Sequence, residues 1–114
     1  MGEPIECYIS LRLVRNGEEF ASAFGPGIAS LLYRVDETGS LNKAAKSMAM
    51  AYSKAWRIIR QTESQFGFAL IDRDGARGST LTDKGRELLA LYTAVQKAAN
   101  QAARDVIEQM TIDF

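Results

Sequence analysis

A mainly helical α+β fold follows from three features of the 114-residue chain. Apolar residues recur at helical spacing in four separate segments. Two of those segments are joined by the three-residue link Ala49-Met50-Ala51. A short apolar stretch broken by glycines lies between the third segment and a very long fourth one. Two helices joined by so tight a link, followed by a glycine-tipped hairpin, predict a winged helix-turn-helix. An N-terminal β-hairpin precedes it and a long C-terminal helix follows. The composition, 46% hydrophobic and 25% charged, suits one structural domain. Within it, residues 1–25 form a hairpin extension, 26–82 the winged core and 83–114 a dimerisation helix.

The hairpin rests on Tyr8 to Val14, rich in β-branched and aromatic residues, and on Asn16-Gly17 directly after it. Both positions tolerate the positive φ of a type I′ turn, so Glu18 to Ala21 is the expected return strand. Phe24-Gly-Pro-Gly27 then breaks the periodicity. Ile28, Leu31, Leu32 and Val35 define a first helix over about 27–37, with Pro26 near its start and Gly39 past its end. Asp36 and Glu37 have the wrong sign for its C-terminal dipole, a minor cost at an exposed site.

Ser40 is the expected cap of the second helix, accepting an amide hydrogen near Asn42 or Lys43. Leu41, Ala44, Ala45 and Met48 make its inward stripe. The Ala44-Ala45 pair lets a third helix cross closely. That helix spans about Tyr52 to Gln65, with Ala55, Ile58, Ile59, Thr62 and Phe66 facing inward and Gly67 as its stop. Phe68 to Thr82 reads as a hairpin wing with Asp74-Gly75 and Gly78 at its tip. Thr82 caps a last helix reaching about Met110, some 40 Å long at 1.5 Å per residue. Its apolar positions, among them Leu88, Leu91, Val95, Ala99, Ala102 and Val106, outrun what a winged core can cover, and a twofold homodimer is the simplest cover. The alternative is a helix folded back on its own N-terminal hairpin.

The formal net charge is zero, but its distribution is uneven. Between Gly39 and Arg86 nine cations face four anions, a net of +5 balanced by −5 elsewhere. A basic middle in an acidic frame is the footprint of a localised phosphate-binding surface. The candidate contacts with double-stranded DNA are Ser40 and Lys43, then Ala51, Tyr52, Ser53, Lys54, Arg57 and Arg60 on or beside the outer face of the third helix. Arg73 and Arg77 join them on the wing, placed for the backbone or a narrow minor groove.

An enzyme has little to stand on. There is no histidine, no cysteine-rich metal pattern and no nucleophile-base pair, so no catalytic residue, cofactor or metal is expected. Turn and strand chemistry explains Glu18-Glu19 and Asp72/Asp74. The lone Cys7 cannot form an internal disulfide and reads as a small buried hydrophobe. With no apolar run of membrane-span length, the expected place is the cytoplasm.

Gly39-Ser-Leu-x-x-Ala-Ala-Lys, Tyr52, Ala55-Trp56 and the wing's Leu81-Thr82-x-x-Gly85 resemble the N-terminal DNA-binding domain of the molybdate-responsive (ModE) regulators, relatives of the LysR-type regulators. The resemblance covers about residues 8 to 105 and includes Phe24-Gly-Pro-Gly27, similar to short ModE-like members. It implies a transcriptional regulator with Tyr52, Ser53, Lys54 and Arg57 on the recognition helix, Arg73 and Arg77 on the wing, and the last helix at the dimer seam. Ala51 stands where such regulators often carry serine. The chain stops at Phe114, before any C-terminal oxyanion-binding module of the kind full-length members carry, so a stand-alone form without direct molybdate binding is expected. The rival from another class is a winged module for protein interaction or dimerisation that binds no DNA.

Overall fold

The computed structural model describes residues 5–15, 23–73 and 78–110. Helix α1 (Pro26–Thr38) is followed by α2 (Leu41–Ser47) and α3 (Tyr52–Phe66), the strands β1 (Ile71–Arg73) and β2 (Ser79–Leu81), and α4 (Asp83–Gln109). The two strands pair antiparallel with Ile71 opposite Leu81 and Arg73 opposite Ser79. The arrangement is the expected winged helix-turn-helix, drawn out to 57 × 31 × 22 Å by α4.

Each helix end has a local cause. Pro26 opens α1, where a missing N–H costs nothing, and Gly39 closes it at φ 70°. The Ser40 Oγ accepts the Lys43 amide at 3.1 Å. Gly67, at φ 84°, stops α3, and the Thr82 Oγ1 accepts the Gly85 amide at 2.9 Å to start α4. The core gathers Leu31, Leu32 and Val35 of α1, Leu41, Ala44 and Ala45 of α2, Ala55, Ile59 and Phe66 of α3, and Leu88 and Tyr92 of α4. Burial raises the Tyr92 phenol above its ordinary pKa, with the Arg12 cation working the other way.

The link between α2 and α3 turns on Ala49, whose φ of 53° is left-handed. The Met50 amide closes it on the Ala45 carbonyl at 2.9 Å. A β-carbon is strained there, so Ala49→Gly is expected to raise stability by about 0.5 to 1 kcal/mol, read as a higher denaturation midpoint.

The N-terminal segment departs from expectation. Instead of a strand over Tyr8 to Val14 there is a single antiparallel bridge, Leu13 to Phe24, with N···O distances of 2.9 and 2.8 Å. An uninterrupted two-residue turn at Asn16-Gly17 would pair Leu13 with Phe20. The bridge is held by burial, for Phe24 is fully enclosed, edge-on to Phe66 and Tyr92 with ring centroids at 6.5 and 5.4 Å. The Asn16-Gly17 turn and the Glu18 to Ala21 strand lie outside the described residues. With no ladder around it, Cys7 is exposed rather than buried. The wrong-signed Asp36 has an answer in three dimensions, for the Arg86 guanidinium of α4 meets its carboxylate at 2.6 Å.

Candidate nucleic-acid interface

Helix α3 is amphipathic in a way that divides its residues sharply. Ala55, Ile59, Thr62 and Phe66 are buried, while Ala51, Tyr52, Ser53, Lys54, Arg57 and Arg60 are exposed. The buried set follows the 3.6-residue period, and the small buried Ala44 and Ala45 of α2 let α3 cross closely, leaving the opposite face of its first turns exposed. No side chain caps α3 at Ala51. Its first-turn amides, with Tyr52, Ser53 and Lys54 beside them, are N–H donors of the kind that suit negative oxygen atoms.

The wing is tied to α3 at one end and to the corner between α1 and α2 at the other. The Leu70 amide donates to Glu63 Oε2 of α3 at 2.7 Å, and the Thr82 Oγ1 donates to the Ala69 carbonyl at 2.6 Å. At the other end, the Ser79 amide donates to the Gly39 carbonyl at 2.9 Å. Gly78, at φ 106°, passes so close to Gly39 that a β-carbon would overlap that same oxygen. The start of β2 therefore docks into the corner between α1 and α2, while Arg73, opposite it on β1, lies over Trp56 of α3.

Other predicted contacts fall in different places. Lys43 is exposed on α2, whereas Ser40 is half-buried and its oxygen is engaged as a cap. Arg77 lies outside the described residues. Along α4, Leu88 packs in the chain's own core at 7% exposure and so cannot belong to an outer seam. The cause is proximity, since Leu88 sits only two turns into α4, over α1. Farther along, Leu91, Val95 and Val106 are 52, 37 and 52% exposed, with Ala102 exposed and Ala99 half-buried beside them. Among the described residues the N-terminal segment meets α4 at Gln96, whose Nε2 donates to the Ile9 carbonyl at 3.0 Å.

Sequence reasoning did not assign a role to Trp56. Its ring centroid lies 5.0 Å from the Arg60 guanidinium carbon and 5.2 Å from that of Arg73. The spacing Trp56 to Arg60, one helical turn, carried that signal for the first pair. No linear pattern carried it for the second.

Comparison with known proteins agrees with this geometry. A family model described as bacterial regulatory helix-turn-helix protein, lysR family, matches residues 29–86, from α1 into the start of α4. The molybdenum transport protein ModE of Azotobacter vinelandii is 36% identical over 70 residues, covering 58% of this chain and 26% of its own length. The DNA-binding transcriptional dual regulator ModE of Escherichia coli (strain K12) is 30% identical over 86 residues, 72% of this chain and 32% of its own length. The chain thus spans about a quarter to a third of the length of these curated relatives. Among solved structures, a chain of the CbnR_DBD-DNA complex superposes with a TM-score of 0.59 at 22% identity, covering 81% of this chain and 98% of that one. A LysR family transcriptional regulator superposes at 0.56 with 21% identity, over 74% of this chain and 29% of its own. At those identities the likeness speaks for the fold.

Proposed function

The chain belongs to the lysR family of bacterial regulatory helix-turn-helix proteins, and from that premise we propose that it is a cytoplasmic transcriptional regulator binding double-stranded DNA through α3 and the wing. The observation that carries the reading is the exposed polar end of α3, with Ser53, Lys54 and Arg57 clear of the core that Ala55 and Ile59 anchor. A hydroxyl, an ammonium and a guanidinium in the first two turns suit base edges and phosphates in a major groove. The relatives' names, a DNA-binding regulator and a molybdenum transport protein, support a transcriptional role. Two copies joined along α4 would present two such helices to successive major grooves about 34 Å apart. As a regulator the chain is not an enzyme.

The test is duplex binding by the Arg57→Ala variant against a site selected from genomic fragments. One base or phosphate contact is worth about 1 to 3 kcal/mol, so affinity should fall roughly five- to 150-fold and sequence preference should relax. Folding should hardly change, because Arg57 is exposed. A folded variant that holds its site as tightly as the parent would remove α3 from the groove. A parent that binds no duplex would leave a module for protein interaction.

A further inference from the structure

Trp56 stands on α3 at the boundary with the wing, half-buried, and three side chains converge on it. The Tyr52 ring meets it edge-on at 6.4 Å and 87°. The other two are cations, Arg60 from the next turn of α3 and Arg73 from the end of β1, each about 5 Å from the ring centroid. The indole Nε1–H is buried with no hydrogen-bond partner among the described residues. The ring is therefore held through its faces and edges, and its polar atom does not anchor it.

Two guanidiniums drawn to one ring repel each other, and neither is in an ion pair among the described residues. Glu63, the carboxylate of α3 nearest in sequence to Arg60, has Oε2 engaged by the Leu70 amide. The ring quadrupole offsets part of that repulsion. A phosphate oxygen near both cations would remove the rest, and would meet side chains that have already lost rotamer freedom.

We propose that Trp56 is a positioning residue whose indole couples the wing to the recognition helix and holds Arg60 and Arg73 as a preorganised pair for the phosphates of one DNA strand. The proposal rests on the DNA-binding reading above. It makes the separation of the two guanidiniums a property of the free protein, set by a ring that touches no base. Arginine suits the arrangement because its flat, weakly hydrated cation stacks on an aromatic face and still offers N–H groups at its edge. Lysine would hold the charge without that geometry.

The experiment uses the full chain with a selected duplex and measures Kd as a function of salt. Trp56→Leu is expected to weaken binding about five- to thirtyfold, the scale of two cation–π contacts, and to lower the salt slope by about one as the pair loosens. Trp56→Phe, which keeps an aromatic face and most of the packing, should lie between that variant and the parent. Arg73→Gln should cost affinity in the parent and little more in the Trp56→Leu background, because the interaction is shared. An equal cost in both backgrounds would reduce Trp56 to packing and overturn the proposal. The free protein gives a reading independent of DNA: ring-current shifts of the Arg60 and Arg73 Nε–H resonances, lost in Trp56→Leu. Their absence in the folded parent also overturns the coupling, whereas a parent that shows them and binds no duplex overturns both the phosphate role and the DNA-binding reading.

Discussion

Gly85→Ala is expected to destabilise the winged core severely, although by helix propensity alone the change is favourable. Gly85 lies inside α4, where alanine is worth about 1 kcal/mol more than glycine. The tertiary contact reverses the sign. A β-carbon there would overlap the Leu70 carbonyl oxygen and lie 3.1 Å from the Leu70 carbonyl carbon and 3.2 Å from Thr82 Oγ1. None of these atoms can step aside alone. The Leu70 carbonyl accepts the Thr82 amide at 3.0 Å, and the Thr82 hydroxyl both caps α4 and donates to Ala69. Relief therefore means moving the start of α4 away from the wing, with Leu70, Leu81 and Leu88 close behind it in the core. Overpacking against backbone costs about 1 to 3 kcal/mol and more where the neighbours are fixed. At about 3 kcal/mol the thermal midpoint should fall by more than about 10 °C. Thermal unfolding followed by circular dichroism is the check, and an unchanged or raised midpoint would mean that α4 does not sit this tightly on the wing.

Ala102→Glu is expected to turn a dimer into monomers. Only the first turns of α4 are buried by the chain itself, at Gly85, Leu88 and Tyr92, in a helix of 27 residues. Beyond them Leu91, Val95, Ala102 and Val106 share one face at spacings of four, seven and four residues, exposed in the isolated chain. A seam of that length left open on a monomer is an aggregation liability, and in the proposed dimer a second copy of α4 would cover it with its own small residues at the crossing. A glutamate at position 102 brings two like charges toward the dyad without partners, a cost of several kcal/mol. The monomers should keep the winged core, since Ala102 is exposed and lies outside the core cluster, and should lose most affinity for a two-half-site duplex, because the second contact is no longer intramolecular. Sedimentation at micromolar concentration reads the outcome. A monomeric parent, or a variant that stays dimeric, would remove the seam.

The helical part of the fold was legible because its signals are local and agree with one another. Ser40 and Thr82 cap the helices they precede, and Gly39 and Gly67 close the helices they follow in the left-handed region. The inward stripe of α3 matches its buried residues, except that Ile58 is only half-buried. The candidate face of α3 came with it, since a helix that buries Ala55, Ile59 and Thr62 must expose Ser53, Lys54, Arg57 and Arg60. The single Leu13–Phe24 bridge in place of a strand over Tyr8 to Val14 was not legible, because nothing local to Phe24 names its partners. The enclosure of Phe24 by Phe66 and Tyr92 joins parts of the chain far apart in sequence.

By itself the sequence determined the order and type of the four helices, the hairpin wing, the caps and the basic middle, because each depends on residues within a turn or two of one another. Only the tertiary structure decided that Leu88 belongs to the core and Val95 to the surface, since both sit on the same apolar stripe and differ only in what lies opposite. It alone placed Arg73 of the wing and Arg60 of α3 on one indole, set Arg86 against Asp36, and pressed Gly78 and Gly85 against the carbonyls of Gly39 and Leu70. Periodicity tells which way a side chain points along its own helix. Which atoms it then meets depends on how helices and wing cross, and that is settled by the packing of the whole core at once.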